Sequence, residues 1–279
     1  MTKLIDGKKI AEEIMRDIKA KVTSLEQKPG LALLLVGDNP ASLSYVRAKK
    51  RGCAATGIVS TLLEFPTALK ESELLAKIED LNQDPSINGI LVQLPLPPHI
   101  DEKKVMLAID PKKDVDGFHP LNVGKMLLGD SSGLLPCTPQ GIKVLLEKSQ
   151  IAVAGKHVVI IGRSNIVGKP LAAILMQKKP GCNATVTICH SRTENLLAIA
   201  RSADILVAAI GSPHFVGPHM IKPGAVLIDV GINRANGKIV GDVDFEAALP
   251  IVSQITPVPG GVGPMTIAML LQNTCKHRF

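Results

Sequence analysis

The sequence predicts an α/β protein with two domains, each built from helices packed on a parallel β-sheet, and three observations lead to this prediction. Short apolar runs alternate with helix-length segments along most of the chain. These runs are continuous rather than alternating, which is typical of parallel strands covered by helices. Residues 111–139, rich in Gly, Pro and Asp, interrupt the alternation and suggest a linker with site loops. The length of 279 residues accommodates one large or two medium domains.

The first half is predicted to contain three strands and three helices. The helices are expected at 8–25, 41–56 and 71–82, and the strands at 31–36, 58–63 and 89–94. Asn39 or Ser42 is the expected N-cap of the second helix, and Gly57 its C-terminal stop. Strands and helices that alternate at this spacing indicate parallel βαβ units with right-handed crossovers.

The second half repeats the pattern, with helices expected after Gly168 and from Glu194. Its strands are predicted at 157–161, 185–189, 205–209, 225–230 and 251–255. A helix near the end of the chain could pack back onto the first unit. We therefore predict one domain from 1–120 plus the C-terminal helix 264–279, a second domain from 138–258, and a cleft between them.

Composition narrows the classes of partner. The net charge is +7 and only 2% of residues are aromatic, with no tryptophan. The charge favours anions, but without interleaved aromatics it does not indicate nucleic acid. No stretch is long enough to span a bilayer, so no membrane association is expected. Five cysteines without a C-x-x-C pair predict a reducing compartment, hence a cytoplasmic location.

The only tyrosine, Tyr45, precedes Lys49 by four residues, so both lie on one face of the predicted helix. A planar ring beside an amine suits a flat organic substrate that needs a proton moved. Alternatively, Lys49 belongs with Lys50 and Arg51 to a solvated basic face, and the Tyr45 ring packs under an aliphatic stem. From these residues alone the solvated face is the better interpretation.

The segment 155–170 contains a strand, a glycine turn and a helix start in that order. Such a turn directs backbone N–H groups towards a phosphate, as in Rossmann folds. Ser164 replaces the second glycine of the usual G-x-G-x-x-G pattern, so a βα turn without a ligand remains an alternative. The next strand ends without an acidic residue, and Arg163, Ser191 and Arg192 could bind a 2′-phosphate. The pattern therefore favours NADP over NAD.

Two further loops are hard to explain by structure alone. Residues 256–266 contain three prolines and three glycines, a rigid loop that lets backbone approach a ligand closely. Residues 110–119 carry three carboxylates but lack the ligand ladder of an EF-hand. A D-x-D pair more often marks a turn than a divalent metal, and a carboxylate could equally accept from the N–H edge of a heterocycle. We therefore predict no metal site.

Six motifs follow one another along the chain. They are PAS with YV and K at 40–49, VQLPLP at 92–97, DVDG at 114–117, PCTP at 136–139, GRS with IVGKP at 162–170, and PGGVGPMT at 259–266. Together they resemble the bifunctional methylenetetrahydrofolate dehydrogenase/methenyltetrahydrofolate cyclohydrolase family (the FolD family) over essentially the whole chain. The resemblance implies NADP-dependent oxidation of 5,10-methylenetetrahydrofolate, then hydrolysis of the methenyl product to 10-formyltetrahydrofolate.

The resemblance also implies roles for individual residues. Lys49 would transfer the proton, with Gln93 as its hydrogen-bonded partner. Tyr45 would stack on the aminobenzoyl group of the folate, and Asp116 would bind the pterin edge. A member with dehydrogenase activity alone would be expected to lack the lysine that this chain keeps. The substrate pocket would also be lined by Pro259, Gly260 and Gly261.

For the cofactor, the resemblance implies an NADP site in the Rossmann-like domain and a homodimeric assembly. The site would comprise Gly162, Arg163, Ser164, Ile166, Val167, Gly168, Ser191, Arg192 and Ile232. Two other functions are considered: an NADP-dependent dehydrogenase of another small substrate, such as a shikimate-type hydroxy acid, and a nucleotide sensor without chemistry. The first explains the glycine turn but not the other motifs together, and a Lys49 that titrates as in solvent would support the second.

Overall fold

The structure is a computed structural model that describes residues 2–235 and 237–278. Its contacts divide the chain into two compact units. One, the three-stranded unit, comprises Glu12–Cys137 and Ile267–Phe279; the other, the six-stranded unit, comprises Met1–Ala11 and Thr138–Thr266. The division differs from the predicted boundaries in grouping the first eleven residues with the second unit. The predicted boundaries themselves remain a prediction.

The elements are numbered along the chain. The strands are β1 (Lys3–Leu4), β2 (Gly30–Val36), β3 (Val59–Phe65), β4 (Ile87–Val92), β5 (His157–Ile161), β6 (Thr185–Cys189), β7 (Ile205–Ala208), β8 (Val226–Asp229), β9 (Asn233–Ala235), β10 (Lys238–Val240) and β11 (Gln254–Ile255). The helices are α1 (Gly7–Ser24), α2 (Pro40–Thr56), α3 (Glu71–Gln83), α4 (Glu102–Ala108), α5 (Pro120–Leu128), α6 (Cys137–Lys148), α7 (Gly168–Leu175), α8 (Leu196–Arg201), α9 (Phe245–Ala248) and α10 (Val262–Cys275). A 3₁₀ turn spans Pro218–Met220.

The three-stranded unit is organised around β2, every residue of which is buried. The sheet order is β3-β2-β4 and all pairs are parallel, as the sequence predicted. Alternate β2 side chains, including Leu34, pack with apolar residues of α3, β4 and α4 in one core. Because consecutive strand residues point to opposite faces, this wholly apolar strand needs cover on both sides.

The six-stranded unit has the order β1-β11-β8-β7-β5-β6, with parallel pairing throughout. Within the second half of the chain, β5 is the first strand of this sheet. The next strand, β6, pairs with one side of β5, and β7 pairs with the other side. The strand order therefore reverses between β5 and β7. In open α/β sheets ligands bind at such a switch point, outside the carboxyl ends of the strands. A separate antiparallel pair joins β9 to β10.

The predicted linker at 111–139 contains α5 and the start of α6, and the rest of it is turns and loops. Pro120 and Gly129, which suggested a loop, are helix boundaries. Leu121 N–H bonds to the N-cap His119, Pro120 occupies the first turn, and Gly129 ends the helix with φ of 75°. The last helix begins at Val262 rather than in the predicted range, and β11 is two residues long. In the described ranges, no helix has the length and apolar character needed to cross a membrane.

Candidate active site

Helix α2 presents Tyr45 and Lys49 one turn apart. Asn39 is its N-cap, since its Oδ1 accepts from the N–H of Ala41 at 2.9 Å, and Gly57 ends it in the left-handed conformation. Tyr45 is 42% exposed, and partial burial raises the pKa of its hydroxyl above the usual value. Lys49 is half-buried, whereas the next residue, Lys50, is exposed. The structure therefore separates Lys49 from the solvated basic face.

The Lys49 amine is held by a side-chain amide from the neighbouring strand end. Lys49 Nζ donates to Gln93 Oε1 at 3.0 Å. Gln93 directly follows β4, and its N–H continues the ladder by donating to Leu34 O at 2.9 Å. Its Nε2 donates to Leu94 O at 2.7 Å, which orients the amide oxygen towards the lysine. The predicted Lys49–Gln93 pair is thus brought together by α2 and β4.

Asp116 belongs to the same cluster and is only partly exposed. Burial raises the pKa of its carboxyl, the negative charge of Asp114 adds to the rise, and the positive charge of Lys49 opposes it. A carboxyl and an amine that interact in this way share one polar site at the edge of an apolar core. The structure therefore places Tyr45, Lys49, Gln93 and Asp116 in the three-stranded unit.

The other acid of the D-x-D pair, Asp114, serves the loop itself. It is 4% exposed, and its Oδ2 accepts from His119 N–H at 2.8 Å and from Asn122 Nδ2 at 2.9 Å. Phe118 N–H approaches Oδ1 at 3.3 Å. Asp114 therefore fits the interpretation as a turn residue. Among the described residues no group of three or more His, Cys, Asp or Glu side chains could hold a metal ion.

Two polar residues that the sequence analysis did not assign hold the backbone beside Asp116. Asn273, on α10, donates from Nδ2 to Val115 O and to Leu135 O, both at 2.9 Å. The thiol of Cys137 also donates to Val115 O, at 3.1 Å. Burial raises the pKa of Cys137 well above its usual value, and the charge of Asp116 adds to this. The PCTP motif was the one available signal for Cys137.

The glycine turn of the six-stranded unit lies at the switch point. Gly162 has φ of 128°, and a Cβ there would lie 2.1 Å from Ala209 O at the end of the adjacent strand β7. A Cβ on Gly168 would lie 2.1 Å from Gly162 O. Any larger residue would force the backbone apart. The turn therefore requires both glycines, and it forms where an α/β sheet binds its ligand.

Polar groups around this turn fit a phosphorylated dinucleotide. Arg163 and Ser164 are exposed directly after β5, and Ser191 and Arg192 are exposed after the adjacent β6. Two guanidinium groups at one sheet edge offer the donors that a 2′-phosphate needs. Ile232, exposed by 49%, follows β8 and offers an apolar surface at the same edge.

Ser164 has a structural function as well. Its Oγ accepts from Val167 N–H at 3.1 Å and lies 3.4 Å from Gly168 N, at the start of α7. Ser164, which stands where the usual pattern has its second glycine, thus caps the start of α7 with its hydroxyl. Ile166, in the same turn, is 47% exposed.

The proline–glycine loop before α10 is tightly fixed within the six-stranded unit. Gly260 has φ of 112°, and its carbonyl accepts from Lys8 N–H at 2.8 Å. A Cβ on Gly7 would lie 1.9 Å from Gly261 O. Pro259 is exposed, whereas Gly261 is buried. The loop is thus rigid and closely packed, as its composition predicted.

Two buried acids near the cofactor edge were missed by the sequence analysis. Asp229 ends β8, is 2% exposed, and accepts from Gly231 N–H at 3.0 Å and from Val243 N–H at 3.0 Å. Asp242 is fully buried, and its carboxylate accepts from the loop after β7. Each acid lies within two residues of a glycine and a valine. This pattern is typical of a turn, so the sequence did not indicate that these two carboxyls are buried.

This fold and these residues define a nucleotide-dependent α/β enzyme. The family model of the tetrahydrofolate dehydrogenase/cyclohydrolase catalytic domain matches residues 5–116, and that of the NAD(P)-binding domain matches residues 136–278. The chain belongs to the tetrahydrofolate dehydrogenase/cyclohydrolase family. The two-domain α/β fold predicted from the sequence is thereby confirmed.

Individual relatives agree over nearly the whole length. The bifunctional protein FolD of Protochlamydia amoebophila is 57% identical over 279 residues, covering 97% of this chain and 96% of its own. The bifunctional FolD dehydrogenase/cyclohydrolase of Campylobacter jejuni is 48% identical with a TM-score of 0.96, and each chain is covered completely. The Trypanosoma brucei dehydrogenase–cyclohydrolase, solved with NADP and an inhibitor, is 38% identical with a TM-score of 0.92, over 98% of this chain and 96% of its own.

We predict that Asp229 makes the free energy of unfolding depend on pH, with higher stability at acidic pH. Burial raises its pKa from 3.8 to about 6, against backbone N–H donors that lower it. The folded protein therefore binds this proton more tightly than the unfolded chain, and the associated stability is lost as the pH rises through about 6. The loss is roughly 3 kcal/mol at most. Asp229→Asn should remove this slope between pH 4 and pH 7.

Urea denaturation of the wild type and the variant at several pH values measures the effect. The Asp244→Asn variant, which changes the N-cap of α9, serves as the control and should keep the wild-type slope. The same slope in Asp229→Asn as in the wild type would contradict the assignment.

Proposed function

We propose that this chain oxidises 5,10-methylenetetrahydrofolate with NADP⁺ and hydrolyses the 5,10-methenyl product to 10-formyltetrahydrofolate. The observation that carries the proposal is the 3.0 Å hydrogen bond between Lys49 and Gln93, next to the Asp116 carboxyl. Membership of the family supports both reactions, and the two domain matches supply a catalytic unit and a unit that binds the cofactor. Bound NADP⁺ would supply the hydride acceptor for the first reaction.

In the hydrolytic step the protein has to position water and move protons. The methenyl carbon is already an electrophile, so water adds to it. The bond from this carbon to N5 then breaks, N5 takes one proton of the water, and the other proton leaves as the 10-formyl product forms. The Lys49 amine is the group that transfers this proton, and its bond to Gln93 fixes the direction in which the nitrogen points. Half-burial of Lys49 limits the access of bulk water to the same nitrogen.

Substrate binding is assigned to the groups around this pair. The carboxyl oxygens of Asp116, which share their surroundings with Lys49, can accept from the N–H edge of a pterin. The exposed Tyr45 ring offers a face for the aminobenzoyl group. Pro259, Gly260 and Gly261 keep their proposed role as pocket residues, and the rigidity of their loop supports it.

NADP is assigned to the carboxyl edge of the six-stranded sheet. The pyrophosphate would lie against the turn of Gly162, Arg163 and Ser164, and the first residues of α7 with Ile166, Val167 and Gly168 would complete this side. The 2′-phosphate would be bound by Ser191, Arg192 and Arg163, and Ile232 would contact the cofactor through its exposed side chain.

A homodimer and a cytoplasmic location are also part of the proposal. The five free, buried cysteines support the cytoplasmic location.

A spectrophotometric assay tests the function directly. The wild type is given 5,10-methylenetetrahydrofolate with NADP⁺ or NAD⁺, and methenyl formation and decay are followed separately. Reduction of NADP⁺ together with faster methenyl decay supports the proposal. A dehydrogenase of another hydroxy acid would leave the folate unchanged, and a nucleotide sensor would bind NADP without either reaction.

Lys49→Gln should lower methenyl hydrolysis by about 10²-fold or more, because the proton-transfer group is lost. NADP binding should remain, since the cofactor residues belong to the other unit. Methenyl decay at fixed enzyme concentration measures the loss. Lys50→Gln, which changes the exposed neighbour, is the matched control and should retain the wild-type rate. Undiminished hydrolysis in Lys49→Gln would remove Lys49 from the reaction.

Asp116→Ala should raise the KM for the folate by about tenfold or more, because a hydrogen bond to a charged or polar edge is lost. The dissociation constant for NADP should stay near that of the wild type. Initial rates at varied folate and saturating cofactor give the KM for the folate. Asp110→Ala, in the same loop, is the control. A wild-type KM in Asp116→Ala would place Asp116 outside the pocket.

Arg163→Ala should weaken NADP binding by about tenfold and NAD binding much less, because only NADP carries the 2′-phosphate. Calorimetric titration with each dinucleotide measures the two constants. Arg201→Ala, at the exposed end of α8, controls for the loss of one positive charge. Equal losses for the two cofactors would argue against a 2′-phosphate contact at Arg163.

A further inference from the structure

Asp242 lies at the centre of a hydrogen-bonded cluster in the six-stranded unit and is fully buried. Its Oδ2 accepts from the N–H of Ile210 at 2.6 Å and of Gly211 at 3.0 Å. Its Oδ1 accepts from Ser212 N–H at 2.9 Å and from Asn233 Nδ2 at 2.8 Å. Four donors thus converge on one carboxylate. Their hydrogen bonds replace those to water, without which a buried carboxylate would be costly in free energy.

Three of these donors are consecutive backbone N–H groups. Gly211 adopts the left-handed conformation with φ of 75°, which lets its N–H turn to the same side as those of its neighbours. Such a concave set of N–H groups, a nest, binds anions and is often used for phosphates. Here the protein's own carboxylate fills the nest. The loop after β7 is therefore closed to a cofactor phosphate, which leaves the Gly162 turn for that group.

The cluster connects two loops that border the cofactor edge. Residues 210–212 follow β7, and Ala209 is the residue whose carbonyl is approached by Gly162 at the switch point. Asn233 follows Ile232 and begins β9, where the connection from the adjacent strand β8 ends. By accepting from both segments, Asp242 ties the loop after β7 to the connection after β8.

Asp229 fixes Asp242 in turn. Its Oδ1 accepts from the N–H of Asp242 at 2.9 Å. Glycine is required beside each acid: a Cβ on Gly231 would lie 2.3 Å from Asp242 Oδ1, and a Cβ on Gly241 would lie 1.8 Å from Asp229 Oδ2. The two carboxylates and the two glycines therefore form one closely packed unit beneath the loops.

We infer that Asp242 is a positioning residue of the dehydrogenase, which holds the loops after β7 and β8 in the arrangement that receives NADP. This inference rests on the proposed function and extends it to residues that do not touch the cofactor. Because Asp242 is fully buried and its oxygens are occupied, it acts through residues 210–212 and Asn233.

The substitution Asp242→Asn tests the inference. It keeps the shape of the side chain but sets an NH₂ group against N–H donors, so the nest should open. We expect the dissociation constant and the KM for NADP to rise about tenfold. The kcat at saturating NADP and the cofactor-free hydrolysis of methenyltetrahydrofolate should stay within about twofold. Asp244→Asn, two residues away, is the matched control and should leave all four values unchanged.

An unchanged NADP dissociation constant in Asp242→Asn would overturn the inference, and so would an equal loss of both activities, which indicates a purely structural role. Should this variant fail to fold, Asn233→Ala removes one donor only and should raise the NADP constant about threefold; no rise would also overturn it. Calorimetric titration with NADP measures the dissociation constant without relying on activity towards folates. A wild type that binds NADP but does not act on folates would refute the proposed function and leave the inference about NADP binding to be decided by calorimetry.

Discussion

The candidate site depends on the parallel pairing of β2 with β4. Parallel strands end at the same edge of a sheet, so the helix that follows β2 and the residue that follows β4 meet there. Leu34 is aligned with Val92, and the N–H of Gln93 adds one more bond to Leu34 O. In this way Lys49 and Gln93 come within 3.0 Å although 44 residues separate them in sequence. A shift of the register by one residue would turn Gln93 to the other face of the sheet.

The buried acids fall into two groups that differ in their partners. Asp114, Asp229 and Asp242 each accept from several backbone N–H groups and thereby fix loops at strand ends. Asp116 has an environment set chiefly by burial and by the charges of Lys49 and Asp114. A carboxyl that holds a loop cannot readily release its donors, whereas one balanced between a lysine and an apolar surface can respond to a ligand. Neighbouring acids in one motif therefore have separate functions.

Much of the fold could be predicted because its signals are local. The cap at Asn39, the stop at Gly57 and the continuous apolar strands are properties of short segments, and the structure confirms them. The linker prediction missed α5, because Pro120 and Gly129 mark the ends of a helix as readily as a loop. Asp242 was missed because its three backbone donors lie about 30 residues upstream, brought close only by the pairing of β7 with β8. For the same reason the sequence alone favoured a solvated Lys49, since its partner Gln93 belongs to another strand.

The five cysteines have a consequence for the chemistry of the whole chain. All are free and buried, and burial raises the pKa of each thiol, to about 11 for Cys53 and about 12 for Cys275. The nucleophilic form of cysteine is the thiolate, which such environments disfavour. Cys137, whose surroundings include the proposed catalytic lysine and carboxyl, is thus held as the less nucleophilic thiol. An electrophilic substrate bound at this site would therefore meet a weak sulfur nucleophile.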